Sequence, residues 1–168
     1  MTEKKPIDYM SAPEQRAKQP TILGVCQKIA RAAGPGREAQ TFNALWSFWN
    51  FAQAWDDLID ESNWPKERKD LAWRALQEFT SDLLLNPLYR EHAAEFRALF
   101  TSAICRAIDG DAMAASGDPE REALAPAVRC GDIDILAHVA YLAGGWELMR
   151  EIGAARDYDK PDGRGNGS

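Results

Sequence analysis

The sequence has no apolar run near the roughly 18 residues that a transmembrane helix requires, so it predicts no membrane span. The 20 basic residues are outnumbered by 26 acidic ones, and the formal net charge of −6 argues against nucleic acid as a partner. The three cysteines, Cys26, Cys105 and Cys130, show no metal-binding spacing. Residues 1–20 lack the apolar segment of a signal peptide, and together with the scattered cysteines they predict a cytoplasmic location.

Strand signals are missing as well, because β-branched residues do not alternate with polar ones. Ala, Leu, Glu and Arg are plentiful instead, which predicts an all-α fold with five to six helices packed as a single bundle. We expect a flexible arm over 1–20, an all-α domain over 21–154 and a flexible, Gly-rich tail over 155–168. The predicted helices cover about 21–33, 38–61, 66–85, 88–115 and 119–153.

For two of these helices the sequence makes specific predictions about continuity and boundaries. In the fourth, His92, Phe96 and Leu99 follow a helical rhythm, which predicts a continuous helix through His92. The last begins after Asp118, an expected N-cap, and Pro126 with Cys130–Gly131 is expected to kink or split it.

The second predicted helix ends in the stretch AWDDLIDES, residues 54–62, which places charge inside an apolar run. At about 100° per residue, Asp56, Asp57 and Asp60 fall on one side of the helix over a single turn. The same side continues toward the N-terminus with Gln53, Trp49, Trp46 and Phe42. The helix is apolar on two sides, which predicts a central position in the bundle. A narrow stripe of Asn43, Ser47, Asn50 and Glu61 is the part of this helix that we expect to be solvated.

Three carboxylates this close repel one another, and a bound cation would relieve the repulsion. Mg²⁺ prefers oxygen ligands and is usually completed by substrate phosphates, so acids above an aromatic surface suit a molecule with a phosphate head and an apolar body. The alternative is a solvated, acidic helix end that Lys66, Arg68 and Lys69 neutralise.

The stretch DDLID, with the preceding FWNFAQAW, resembles the Asp-Asp-x-x-Asp motif of class I isoprenoid synthases, an all-α group of prenyltransferases and terpene cyclases. FAQAWDDLID and HVAYLAGGW are also similar to small phage-encoded proteins of this superfamily. The resemblance implies that Asp56 and Asp60 bind Mg²⁺ (or Mn²⁺), that Asp57 assists, and that the three form the catalytic acids holding a prenyl diphosphate. It covers about residues 38–62, a minority of the chain.

The second metal motif of that family is not found in this shorter chain. Asp109 and Asp111 are the expected substitutes, although a separation of about 160° lets only one of them face a pocket. Substrate contacts are predicted for Trp46, Trp49 and Gln53 on the acid helix, for Arg106 as a phosphate clamp and for His138, which also lies on an apolar stripe.

Two other functions stay open. A non-enzymatic helical module for binding or assembly would keep the fold, and a homodimer would complete a pocket from two short chains. An all-α nucleotide pyrophosphohydrolase would need Glu-x-x-Glu and Glu-x-x-Asp pairs on two helices, which EREA and DDLIDE supply poorly. Nucleotide or prenyl diphosphate as the tighter ligand would separate the two enzyme classes.

Overall fold

A computed structural model describes residues 19–60 and 66–154 of the chain. Within these ranges the side chains of 19–21, 56–60, 66–68, 82 and 154 are not described. The predicted tail, and the predicted arm except for Gln19 and Pro20, lie outside the described residues.

The described residues form helices and no strands, which confirms the all-α prediction. Six of the helices have eleven residues or more, and α4 is a short helix of five. The helices are α1 Gln19–Ala32, α2 Glu38–Asp60, α3 Lys66–Glu78, α4 Pro87–Glu91, α5 Ala93–Ala114, α6 Pro119–Arg129 and α7 Gly131–Ala154. A π-helical turn, Phe79–Leu83, follows α3 directly.

Helix α2 is the central element of the bundle. It packs against α1, α3, α4 and α7, while α5 forms a hairpin with α6 and packs on α7. Buried side chains lie on several sides of α2, among them Leu45, Trp46 and Phe48. This arrangement confirms the prediction of a central helix, because only an element with neighbours on several sides buries so much of its surface.

Helix boundaries follow local capping chemistry. Asp118 is the N-cap of α6, where its side chain accepts a hydrogen bond from the backbone N–H of Glu120 at 3.0 Å, as predicted. Asn86 caps α4 in the same way, accepting from Leu88 N–H at 2.9 Å, and its amide also donates to the Gln40 carbonyl on α2 at 2.8 Å. The second contact fixes α4 against the central helix.

Two expectations about helix continuity and exposure are wrong. The chain leaves helical geometry at His92 (φ −117°, ψ 27°), so the predicted fourth helix is two helices, α4 and α5, meeting at a corner. Asn50 is 1% exposed, because the central position of α2 leaves Asn43 exposed but covers this part of the expected solvated stripe. The split at Cys130 between α6 and α7 is as predicted.

Aromatic rings from four parts of the chain form one continuous cluster beside α2. Phe51 stacks on Phe79 of the π-helical turn with ring centroids 4.0 Å apart, and Phe48 stacks on Phe100 of α5 at 5.5 Å. Phe79 also meets Phe100 edge-on at 5.5 Å, and Phe100 stacks on Tyr89 of α4. These rings tie α2, the end of α3, α4 and α5 together.

Helix α7 is interrupted near its C-terminal end. Gly145 has φ 74° and ψ −164°, a conformation outside the helical region that glycine adopts without the strain a side chain would bring. The helix therefore has a longer segment before Gly145 and a shorter one after it. Lys28 of α1 forms an ion pair with Glu151 in the shorter segment.

Helices α5 and α7 lie close together at Gly131. A Cβ atom at this position would lie 2.6 Å from the Cα and 2.9 Å from the Cβ of Ala103. We expect Gly131→Ala to lower the free energy of unfolding by about 1–3 kcal/mol, because backbone must move to accept the methyl group. Chemical denaturation measures this loss.

Gly24→Ala is the matched control, since a Cβ at Gly24 of α1 would meet nothing within 4 Å. This variant is expected to gain roughly 0.5–1 kcal/mol from helix propensity. Equal effects of the two substitutions would contradict the close approach at Gly131.

Within the described ranges, none of the helices has the length and apolar character needed to cross a membrane.

Candidate functional site

The predicted acidic site lies at the C-terminal end of α2. The helix continues through Asp60, so Asp56 and Asp60 are one turn apart on one side of a regular helix, with Asp57 adjacent. The helical backbone that the site requires is therefore present. The side chains of all three aspartates lie outside the described ones, and metal binding by them stays a prediction.

Electrostatics at this end of α2 are unfavourable for acids. The last turn of the helix contains no basic residue. A helix C-terminus carries partial negative charge from its unsatisfied carbonyls, which disfavours carboxylates there. A cation bound at this end would offset both the mutual repulsion of the aspartates and the effect of the helix dipole.

Below the acids, the same side of α2 enters the core. Trp46 and Trp49 are buried, Gln53 is half-buried, and Trp46 stacks on Phe42 with centroids 6.0 Å apart. The indole Nε1–H of Trp49 has no hydrogen-bond partner among the described residues, although Trp49 is only 6% exposed. An unmade hydrogen bond at a buried donor costs about 1–3 kcal/mol, so an acceptor brought by water or a ligand would stabilise this part of α2.

Trp55 marks the edge of this region. Its side chain is exposed, next in sequence to Asp56, and it contacts Phe51 at 6.1 Å between ring centroids. The aromatic cluster therefore reaches the surface beside the predicted acids. An exposed tryptophan face here is available to an apolar group of a ligand.

The predicted second metal group, Asp109 and Asp111, lies on α5. Asp109 is exposed, and Asp111 forms an ion pair with Arg129 of α6. Among the described residues, no group of three His, Cys, Asp or Glu side chains is arranged to hold a metal ion. A role for Asp109 or Asp111 as a ligand stays a prediction.

Arg106 makes three contacts within the fold. Its guanidinium pairs with Asp134 of α7, and it donates to the backbone carbonyls of Val128 at 2.9 Å and Ala127 at 3.1 Å. These carbonyls belong to the last turn of α6, where such groups lack intrahelical partners. The described contacts give Arg106 a structural role at the junction of α5, α6 and α7, beside the predicted one as a phosphate clamp.

His138 belongs to a cluster of three side chains. Its Nε2 lies 2.6 Å from Glu95 Oε2, and His92 Nδ1 lies 3.1 Å from Glu95 Oε1. Hydrogen bonds from His92 and then from His138 lower the pKa of the Glu95 carboxyl below its ordinary 4.5, against a smaller opposing effect of desolvation. The sequence did not single out Glu95, and its only local signal is the i, i+3 spacing from His92.

The cysteines offer no nucleophile in the core. Cys26 is fully buried on α1, and burial raises the pKa of its thiol to about 12. The thiolate is the reactive form of cysteine, so Cys26 serves as a small apolar core residue.

Comparisons with protein-family models, with curated proteins and with solved structures find no match for this chain. Any assignment of function therefore rests on the residues of this chain alone.

Proposed function

We propose that this protein binds a diphosphate substrate through Mg²⁺ at the end of α2 and ionises a prenyl diphosphate, as a terpene or prenyl synthase does. One observation carries the proposal: α2 is a continuous helix to Asp60, and Asp56, Asp57 and Asp60 share its C-terminal end with no basic residue in the last turn. Without a cation, the three carboxylates repel one another and the helix dipole disfavours them. A bound cation would offset both effects and could hold a diphosphate.

In this proposal, Asp56 and Asp60 hold the metal and Asp57 supports them. Mg²⁺ (or Mn²⁺), when bound, supplies the positive charge that stabilises a diphosphate leaving group. The indole N–H of Trp49, which has no partner in the described part of the chain, supports a polar ligand atom on the same side of α2, two turns before Asp56. The exposed ring of Trp55 supports contact with the apolar part of the substrate.

Other residues of the chain would complete the site. Trp46 and Trp49 would present aromatic faces that stabilise positive charge on carbon, and the Gln53 amide would orient the diphosphate. Arg106 and His138 stay the proposed cationic and polar contacts, each shared with its carboxylate partner, Asp134 or Glu95.

The test is thermal unfolding with Mg²⁺ and inorganic diphosphate together. Ligand at 100 times its dissociation constant stabilises the folded state by about 2.7 kcal/mol. For a chain of this size that corresponds to a rise in the unfolding midpoint of roughly 5–10 °C. We expect the rise to require both components and to disappear in Asp56→Asn/Asp60→Asn.

The matched control is Glu120→Gln/Glu122→Gln, which removes the same two charges from exposed positions on α6. It should keep the full rise. A rise that survives in the aspartate variant, or one that the control also loses, would place the ligand elsewhere. Turnover of a prenyl diphosphate compared with a nucleotide then separates the synthase from a pyrophosphohydrolase.

A second candidate is a non-enzymatic assembly module, which the exposed apolar side chains favour. The larger ones are Trp55, Trp73, Leu84, Leu85, Ile104, Ile108, Leu124, Tyr141 and Trp146. Burying such groups against a partner or a second copy would release their hydration. No rise in the midpoint with Mg²⁺ and diphosphate would favour this function over the synthase.

A further inference from the structure

Both histidines of the chain bind the same carboxylate. The sequence contains two histidines, and the two oxygens of Glu95 each face one of them. His92 lies at the corner between α4 and α5, Glu95 lies in the first turn of α5, and His138 lies on α7. One side chain therefore joins three elements.

The packing around the cluster makes this junction specific. Phe96, which follows Glu95, is buried and meets the His138 ring edge-on, with centroids 6.3 Å apart. Ile135 and Val139, close to His138 on α7, are buried in the core. The imidazole therefore lies between these buried apolar side chains and the half-exposed carboxylate of Glu95.

A carboxylate accepts hydrogen bonds, so each histidine must donate the N–H that faces Glu95. The bonds are strongest when the carboxylate is charged, and an imidazolium donor strengthens them further. Protonation of Glu95 would remove the negative charge that attracts both ring N–H groups and would add a hydrogen-bond donor between them. Both contacts then weaken.

We propose that His92, Glu95 and His138 form a proton-controlled clasp, which holds the corner between α4 and α5 on α7 and opens when Glu95 takes up a proton. It uses none of the proposed metal ligands, and it shares only His138 with the proposed substrate contacts.

Few other charged groups lie near enough along these elements to replace Glu95. Glu91 pairs with Arg37 at 3.2 Å, and Asp134 pairs with Arg106. Glu38, in the first turn, is the one titratable residue of α2 whose side chain is described. The titratable or charged side chains within one helical turn of the three cluster residues are Tyr89, Arg90, Glu91, Arg97, Asp134 and Tyr141.

The direction of the pH dependence follows from the Glu95 pKa, which is lower in the folded chain than its ordinary 4.5. Between these two values the unfolded chain binds more protons than the folded one, so stability rises with pH there. The stability that Glu95 contributes is therefore fully present above pH 4.5 and is lost as the pH falls through its folded-state pKa.

Nuclear magnetic resonance of the histidine rings tests the proposal directly, because only two imidazoles contribute. We expect both ring resonances of the full chain to show an additional step below pH 4.5 as Glu95 is protonated. Glu95→Gln should lack this step in both rings. Glu91→Gln, a neighbouring and similarly exposed acid paired with arginine, should retain it.

Hydrogen exchange supplies the second readout. The amides of Arg90, His92 and Phe96 donate to the carbonyls of Asn86, Leu88 and His92 in turn. They should lose protection as the pH falls below 4.5, after correction for intrinsic rates, while the core of α7 keeps its protection. A step in only one ring, a step that persists in Glu95→Gln, or uniform loss of protection along the chain would overturn the clasp.

Discussion

Replacing Phe48 with alanine lowers the free energy of unfolding by about 3–5 kcal/mol, the usual cost of deleting a buried ring. Phe48 is 6% exposed, stacks on Phe100 and contacts Phe79 at 6.3 Å between centroids. The substitution removes apolar burial and ring contacts at the point where α2 meets α5 and the π-helical turn. Urea denaturation measures the loss.

Two controls separate the causes. Phe48→Leu keeps much of the apolar volume but not the ring, so it should cost clearly less than Phe48→Ala. Trp73→Ala removes a larger ring that is 65% exposed, and it should stay within about 0.5 kcal/mol of the parent protein. A Trp73 effect as large as that of Phe48 would mean that the aromatic cluster is not the centre of stability.

Replacing Leu136 with alanine should cost about 2–5 kcal/mol. Leu136 is 1% exposed on α7 and belongs to the main core. The cavity left by the side chain adds to the lost burial, because the surrounding helices relax only partly. Denaturant unfolding with an unchanged m-value would identify the change as a loss of stability.

The chain offers the same substitution at the surface. Leu85 is 72% exposed, and Leu85→Ala should be close to neutral. The comparison holds the chemistry constant and changes only burial. Similar losses at the two positions would show that Leu85 is covered in solution, which would support the assembly module.

Helix existence and several boundaries could be predicted from the sequence because they depend on neighbours in the chain. Asp118 and Pro119 predict the start of α6, because an N-cap and a proline at the first helical position depend on only a few residues. The split at Cys130–Gly131 was visible for the same reason. The central position of α2 followed from apolar residues on more than one side of its wheel.

The two predictions that were wrong, a continuous helix through His92 and a solvated Asn50, depended on tertiary contacts. His92 fits a helical rhythm, yet the chain turns there because α4 is fixed to α2 by Asn86 and its contact with Gln40. Asn50 is polar and still buried, because helices surround α2 on that side. Local periodicity carries no information about which neighbours will cover a residue.

In the candidate site, too, local features could be predicted from the sequence and long-range contacts could not. The spacing of Asp56, Asp57 and Asp60 is local, and the helix through Asp60 fits it. The partners of Arg106, Asp111 and His138 are on other helices, 28, 18 and 43 residues away along the chain in turn. Pairings at such separations are set by packing, so the sequence alone could not reveal that these side chains already have carboxylates or cations beside them.

The interruption of α7 at Gly145 affects how this helix unfolds locally. Helix cooperativity passes from residue to residue only while each holds helical angles. Fraying that begins at the C-terminal end of α7 can therefore stop at Gly145 without loosening the buried segment that begins at Gly131. The shorter segment, held by the contact of Glu151 with Lys28 and by the buried side chain of Ile152, is then a separate unit of local unfolding shared with α1.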